Sequence, residues 1–330
     1  MILDATKRLL LTCLADGSFH SGEALARIAG ISRAAVWKQL RGLQDGFGVE
    51  VDTVKGKGYR LRGGMELLDA DRILEHIDSD AASLIGGLTV LETVDSTNRW
   101  LMAKAAEGTV TGWVCLAEHQ TAGRGRHGRA WVSPFGANLY LSVLWRFELA
   151  PVELSGLSIA CGVAAARALT RVGATGISLK WPNDVLWERR KLAGLLLEVR
   201  GESSGPSHVV AGIGVNTRMP RLGAALVDQP WADLDEVTGA ESQSRNRLAA
   251  LIAGEMLTAM ATYATTGLRP FLEAWCEFDH FRGEEVILQV GPREVRGRYL
   301  GVLGDGAIHI DVGGHRQLYN VGEVSLCRRG

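Results

Sequence analysis

The sequence has no Cys-x-x-Cys pair, no GxxxxGK[ST] phosphate loop, and no apolar run near the roughly eighteen residues a membrane-spanning helix needs. A redox dithiol, a Walker-type nucleotide site and a membrane partner are therefore not expected. Its five cysteines, at positions 13, 115, 161, 276 and 327, are odd in number and widely spread. They suit neither a disulfide framework nor a zinc site, and read as reduced thiols of a cytoplasmic protein. Asp4 and the lack of a small-x-small pattern make the N-terminus a poor secretory leader. Over 330 residues, 46% apolar and 22% charged, the composition is that of a globular protein of two or three domains. Net charge is nearly absent too, at −1, which would exclude a polyanionic partner if charge were evenly spread. It is not. Residues 1–63 hold ten Lys/Arg and six Asp/Glu, net +4, and the rest holds 26 and 31, net −5. A small basic head on an acidic body suggests a nucleic-acid module joined to something else.

Within the head, Ile2, Leu3, Leu10 and Leu14 have helical spacing. Ser21 is placed to cap a second helix that buries Leu25 and Ile28 and stops at Gly30, where glycine allows a left-handed turn. Ser32 caps a third helix, with Val36, Leu40 and Leu43 as its buried stripe and Arg33, Ala34, Trp37, Lys38 and Arg41 on the other face. Residues 49–54 alternate like a strand, Lys55-Gly56-Lys57-Gly58 turns, and 59–62 return. This is a winged helix-turn-helix, its third helix suited to a major groove and its basic wing tip to phosphates. A small helical domain with a solvated basic face is the alternative.

In the body, Leu88–Leu91 is a short strand ending in Thr93-Val94-Asp95-Ser96-Thr97-Asn98, which offers donors and acceptors to a ligand or simply caps a helix. After the strand Trp113–Ala117 comes Gln120-Thr121-Ala122-Gly123-Arg124-Gly125-Arg126-His127-Gly128-Arg129. Three glycines and three arginines in seven residues cannot be core. Glycines let backbone amides converge on an anion, and guanidinium groups fork onto carboxylate or phosphate. A flexible loop or an RNA contact remains the alternative. A strand at 139–145, a long helix at about 154–172, a turn at Asp184, Lys191 in a hairpin turn, and a buried strand tipped by Asn216 complete a mixed sheet with helices packed on it. Polar side chains thus gather at strand ends. A linker is expected at Gly63-Gly64, and a helix from about Asp69 to His76.

Taken together, DSTN (95–98), QTAGRGRHGRAW (120–131), SPFGANLYLS (133–142), KWPNDV (180–185), RKLAGLLLE (190–198) and GIGVN (212–216) resemble the biotin–protein ligases, in the bifunctional form that is also the biotin operon repressor. FHSGEALA, SRAAV and the GKGY wing of the head match as well, so the resemblance covers essentially the whole chain. It implies a multidomain α+β protein: residues 1–63 a winged helix-turn-helix DNA-binding domain, 64–277 a mixed-sheet, class II synthetase-like catalytic domain for biotin and ATP, and 278–330 an SH3-like β barrel. The short strands after Phe278 fit the last.

The resemblance also implies roles. Ser96, Thr97, Asn98 and Gln120 would hold biotin's ureido ring and neighbouring groups. Arg124, Gly125, Arg126 and Arg129 would close over the carboxylate and phosphates, and Lys191 would contact carboxylate and α-phosphate. Lys191, Arg126 and Arg124 are thus the expected catalytic residues. Arg129, Asp184, Asn216 and Trp231 would lie along the adenylate, with Cys327, Arg328 and Arg329 an approximate match near the nucleotide. In the head, Ser21, Ser32, Arg33, Ala34, Trp37, Lys38, Arg41, Lys55 and Lys57 would meet operator DNA, with Trp37 where a polar residue is more usual. The implied reaction joins biotin to a lysine of a biotin carboxyl carrier protein of acetyl-CoA carboxylase. It uses ATP with Mg²⁺ as substrate, no tightly bound cofactor and no protein-held metal. A ligand-induced homodimer and repression at a palindromic operator are implied too. A biotin-sensing repressor without ligase activity, and a lipoate-type ligase, are the competing readings. The arginine loop with Lys191 favours catalysis over sensing, because a sensor needs no charge cancellation between two reacting anions.

Overall fold

Capped helices and glycine turns set out the head. In this computed structural model, which describes residues 3–239, 244–320 and 322–326, it begins with α1 (Ala5–Leu14), α2 (Gly22–Ala29) and α3 (Arg33–Phe47). Asp4, Ser21 and Ser32 accept hydrogen bonds from the amides of Lys7, Ala24 and Ala35, donors that have no partner within the helix. Gly30, at φ 65°, ends α2 in the left-handed region and turns the chain into α3. Val36, Leu40, Leu43 and Phe47 pack on Leu10, Leu11 and Leu14 of α1 and Leu25 of α2. Ile28, expected in this core, is 53% exposed; α2 lends Ala26 and Ala29 instead, which share a face with Leu25. Strands β1 (Val51–Val54) and β2 (Gly58–Leu61) pair antiparallel as the wing.

The body enters through α4 (Ala70–Glu75), capped by Asp69, and α5 (Ser79–Ala82). Its sheet contains β3 (Gly87–Val94), β4 (Trp113–Gln120), β5 (Leu139–Phe147), β6 (Ile177–Lys180), β7 (Asp184–Trp187), β8 (Arg190–Gly201) and β9 (Ser207–Val215). Their order is β3-β4-β5-β9-β8-β7-β6. β3 and β4 run parallel, connected by α6 (Thr97–Ala106), and every other neighbouring pair is antiparallel. α7 (Leu157–Arg171) packs against α10 (Arg245–Thr266), α8 (Arg221–Ala224) and α9 (Leu234–Thr238) precede α10, and α11 (Leu272–Phe278) follows it. Val209, Ala211, Ile213 and Val215 of β9 join the large core with α7 and α10, whereas Val210 packs beneath α6 with Leu101, Cys115 and Leu144. The sheet therefore has helices on both faces. Two helical stretches, Pro151–Arg171 and Arg245–Thr266, are long and apolar enough to cross a membrane, but 72% and 67% of their apolar windows are buried within the protein, as in core helices. Burial also pushes the Cys115 thiol up and that of Cys161 to about 12, so both are inert core residues.

Phe135, from the body, inserts into the core of the head, edge-on to Phe47 at 5.3 Å, and the Phe47 ring meets His119 at 5.9 Å. Beside this seam lies a buried ion pair, Arg245 to Glu118 at 2.8 Å. Glu118 also accepts from the Leu68 amide, and Arg245 donates to the carbonyls of Glu66 and Asn138. These extra bonds offset the desolvation that a bare buried pair would suffer.

At the C-terminal end, β10 (Glu285–Val290), β11 (Arg293–Val302), β12 (Ile308–Val312), β13 (His315–Tyr319) and β14 (Glu323–Leu326) form an antiparallel sheet in the order β13-β12-β11-β10-β14. Its outer strands, β13 and β14, do not pair with each other among the described residues, so hydrogen bonding does not close the expected barrel. The Trp181 indole donates to Gly306 O at 3.1 Å and Ser155 Oγ to Asp305 O at 2.8 Å, fastening this sheet to the body.

Candidate functional site

Glycines strip one patch of the central sheet. On the α6 side of β9, a Cβ at Gly212 would stand 2.1 Å from Asn98 Oδ1, and one at Gly214 would stand 2.4 Å from the Trp131 ring. On β8, a Cβ at Gly194 would stand 2.8 Å from Lys191 Cε. Three strand positions are thus kept bare so that Asn98, Trp131 and Lys191 can lie close to the sheet. Above them is a cleft of about 280 Å³, bounded by Ser96–Asn98, Gln120, the loop 124–132, Asn183, Asp184, Lys191 and residues 226, 228 and 229.

One end of the cleft is a hydrogen-bonded polar recess. Thr97 donates to Gln120 Oε1 through its amide (2.9 Å) and its hydroxyl (3.2 Å), and Gln120 Nε2 donates to Ser133 Oγ at 3.2 Å. Ser142 Oγ lies 2.7 Å from both Thr97 Oγ1 and Asn98 Oδ1. Asn98 Nδ2 donates to Leu196 O (3.0 Å) and Glu198 Oε2 (2.9 Å). Ser96, Thr97 and Asn98 are all buried. Side chains held this way present donors and acceptors at fixed positions, as recognition of a small polar ring requires. Burial pushes the neighbouring His119 imidazole down, so it stays neutral at pH 7 and adds no charge beside the recess.

The other end is cationic. The arginine loop folds on itself: Gly125 N donates to Arg129 O at 2.8 Å, Trp131 N to Gly123 O at 2.9 Å, and His127 adopts φ 54°. Arg126 reaches Asn183 Oδ1 and Gly322 O, both at 3.4 Å, and Arg124 donates to Glu198 Oε1 at 2.7 Å. Lys191 is the second residue of β8, not part of the turn where the sequence suggested it; the turn is Glu188–Arg189, at φ 47° and 64°. Its Nζ lies 2.8 Å from Asp184 Oδ1, Lys180 Nζ lies 3.4 Å from Asp184 Oδ2, and the Lys191 ammonium is 5.5 Å from the Trp131 ring centroid. One buried carboxylate is therefore shared by two ammonium groups, leaving a surplus positive charge facing the cleft.

Asn216 and Trp231 border a smaller adjoining recess of about 50 Å³ with Trp131, Val132, Lys191 and Met219. Asn216 Nδ2 donates to Lys191 O (3.2 Å) and Ala232 O (3.1 Å), and Lys191 N donates to Pro230 O at 2.9 Å. Asn216 thus stitches segment 230–232 to the strand that carries Lys191. The cleft brings together Ser96, Thr97, Asn98, Gln120, Arg124, Gly125, Arg126, Arg129, Asp184 and Lys191, and the smaller recess takes Asn216 and Trp231. Cys327, Arg328 and Arg329 lie outside the described residues, as does Ile2. Reading the sequence missed Lys180, Asn183, Glu198 and the glycine floor. A Lys180–Asp184 spacing and two glycines alternating within a β run were the available signals.

In the head, Ser21 and Ser32 are engaged as caps. Trp37 is 49% exposed on α3, with the Arg41 guanidinium 5.4 Å from its ring centroid. The wing arginines are partly neutralised within the hairpin: Arg60 pairs with Asp52 at 3.0 Å, and Arg62 with Asp52 at 2.5 Å and Glu50 at 2.9 Å. The Arg62 guanidinium holds the Asp52 carboxyl below the usual carboxylate range. Arg33, Lys38, Lys55 and Lys57 have no carboxylate ion-pair partner among the described residues, so their charge is available to an external anion.

Comparisons with known proteins agree with this division. Residues 90–216 match the family model "Biotin/lipoate A/B protein ligase family", and residues 6–60 match "HTH domain". The chain is 41% identical over 317 residues to the bifunctional ligase/repressor BirA of Escherichia coli, covering 96% of each protein. It is 34% identical over 274 residues to the biotin–[acetyl-CoA-carboxylase] ligase of Mycobacterium tuberculosis, covering 78% of this chain and 98% of that one. The structure of the biotin protein ligase from Aquifex aeolicus in complex with biotin and ATP superimposes with a TM-score of 0.61 at 28% identity, over 73% of this chain and 99% of that one.

The bare floor makes a packing prediction. Gly212→Ala forces a methyl group into Asn98, and overpacking of this kind costs about 1–3 kcal/mol. Urea unfolding should show a loss of that size; an unchanged midpoint would mean that Asn98 does not rest on the strand.

Proposed function

The chain belongs to the biotin/lipoate A/B protein ligase family, as a bifunctional biotin ligase and repressor, and from that premise we propose how its side chains carry the two activities. The observation that supports the ligase reading is a single cleft that holds both the Thr97–Asn98–Gln120 recess and Lys191 with the arginine loop. Biotin's ureido ring takes the recess, bound by Ser96, Thr97, Asn98 and Gln120 over the glycine floor. Its carboxylate points to Lys191, with Gly125 and Arg126 of the loop above. The α-phosphate of ATP lies against Arg126, Arg129 and Lys191, and the adenylate extends toward Asn216 and Trp231. Asp184 holds Lys191 in place until substrate arrives.

The chemistry explains the cations. A biotin carboxylate oxygen attacks the α-phosphorus, the bond to the β-phosphate breaks, and pyrophosphate leaves. A lysine amine of the carrier protein then attacks the acyl carbon and AMP departs. The first step brings two anions together. Two unit charges about 4 Å apart repel by roughly 4 kcal/mol at an effective dielectric of about 20. Uncompensated, that is on the order of a thousandfold in rate. Lys191 between the two anions offsets it. When Lys191 turns to substrate, Lys180 remains beside Asp184, so the carboxylate is not left unpaired. Mg²⁺ enters as part of the nucleotide substrate, shielding its phosphates. The arginine loop keeps water from the reactive anhydride.

The head carries the repressor activity. α3 enters a major groove with Arg33, Ala34, Trp37, Lys38 and Arg41, Lys55 and Lys57 of the wing meet phosphates, and Ser21 and Ser32 fix the helix ends that approach the backbone. Adenylate binding favours a homodimer that sets two heads on a palindromic operator. This assigns 1–63 to DNA, 64–277 to ligation and 278–330 to an SH3-like module, in a cytoplasmic protein.

Incubating the chain with MgATP, a carrier domain and either biotin or lipoate tests the ligase reading. Mass spectrometry should find a biotin adduct on one carrier lysine and no lipoyl adduct; the reverse pattern, or no adduct, overturns it. Lys191→Ala should slow adenylate formation on the order of a thousandfold with little change in the unfolding midpoint, and near-normal pyrophosphate release would refute its role. Arg33→Ala combined with Lys38→Ala should abolish operator retention in gel shifts at moderate salt and leave ligation intact. An unchanged shift would remove α3 from the groove.

A further inference from the structure

Glu198 is not among the residues that bound the cleft, yet it touches two that are. It sits on β8, 26% exposed, with its two carboxylate oxygens divided between them. Oε2 accepts from Asn98 Nδ2 at 2.9 Å, and Oε1 accepts from Arg124 Nη1 at 2.7 Å. Asn98 belongs to the polar recess and rests on the bare Gly212. Arg124 is the first arginine of the loop, at the point where the loop's own hairpin begins with the Arg124–Ala130 bridge. One carboxylate therefore joins the floor of the recess to the base of the covering loop.

This alters what Arg124 can do. Its guanidinium is already matched by an anion behind the cleft, so its charge is largely cancelled before any substrate carboxylate arrives. A substrate carboxylate therefore competes with Glu198 for Arg124. We propose that Glu198 is a positioning residue for biotin: it acts through Arg124 and Asn98 to keep the base of the arginine loop fastened to the recess, so that the loop is held ready to close over bound biotin. The proposal rests on the biotin reading of the cleft and deepens it, because it separates the residue that anchors the loop from those that face the reacting anions.

The consequence is a split between binding and chemistry. If the competent loop position is populated only in part, apparent affinity falls by that fraction while the chemistry of the closed complex is unaltered. Glu198→Gln keeps an oxygen for Asn98 and loses the charge that holds Arg124. Loss of an ion pair at a partly exposed site is worth roughly a two- to fivefold change in binding.

The test uses the full-length protein. Biotin-dependent pyrophosphate release gives KM and kcat, and in the absence of carrier protein the half-life of enzyme-bound adenylate is followed by gel filtration with labelled ATP. Glu198→Gln should raise KM for biotin about fourfold, leave KM for ATP and kcat within about 1.5-fold, and shorten adenylate retention. Glu198→Asp, which keeps the charge, should recover part of the loss. Arg124→Gln should raise KM for biotin to the same degree, and the double variant should be no worse than either single one, because both remove one contact. Additive losses in the double variant, or a normal KM in Glu198→Gln, overturn the proposal. A fall in kcat with an unchanged KM would place Glu198's effect on the chemical step and overturn it equally. Wild-type protein that releases no pyrophosphate in response to biotin would refute the biotin reading itself, an outcome distinct from failure of the Glu198 variants alone. Circular dichroism melts of each variant separate these results from misfolding.

Discussion

The site turns on one buried carboxylate shared by two ammonium groups. Asp184 lies between Lys180 and Lys191, at 3.4 Å and 2.8 Å. Each lysine alone would pair with it and be neutralised. Together they leave a surplus charge, and the one on β8 faces the cleft. That asymmetry makes the pocket attractive to anions before any substrate enters, and it allows Lys191 to move without stranding a bare carboxylate in the interior.

The surrounding architecture holds this triad and keeps the cleft open above it. β7 and β8 pair so that Asp184 lies opposite Gly194, a position with no side chain to intrude. Asn216 fastens the segment after Pro230 to the backbone of Lys191, so the strand carrying the lysine is tied on a second side. The arginine loop folds from the end of β4, and the C-terminal sheet meets both that loop, through Gly322 and Arg126, and the turn ahead of Asp184, through Gly306 and Trp181. All three parts of the chain adjoin the cleft or its supports: the head reaches it through the Phe47–His119 contact, one residue from Gln120.

Much of this was legible before any coordinates. Caps at Ser21 and Ser32, the Gly30 turn and the stripe Val36–Leu40–Leu43 are local signals with local causes, and they survive in the fold. So does the gathering of Ser96–Asn98, Gln120 and the arginines, because strand-end residues of one sheet converge on one edge. What escaped was non-local. Ile28 is apolar and near the right spacing, but only the placement of α1 decides which side of α2 is covered. Lys191 reads as a solvated hairpin charge until β8 is seen to begin one residue before it. The pairing of Arg124 with Glu198 joins residues 74 apart in the chain, and no periodicity announces such a contact. Gly212 and Gly214 fall within the buried strand that the sequence predicts, but nothing local says that Asn98 and Trp131 rest on them, where their lack of side chains opens the pocket.

A crystal structure of the chain with biotin and a non-hydrolysable ATP analogue tests the central claim most directly. The account predicts Lys191 Nζ within hydrogen-bonding distance of both the biotin carboxylate and the α-phosphate, with Asp184 left to Lys180. Both ligands bound while Lys191 stays on Asp184, out of reach of either anion, would contradict it.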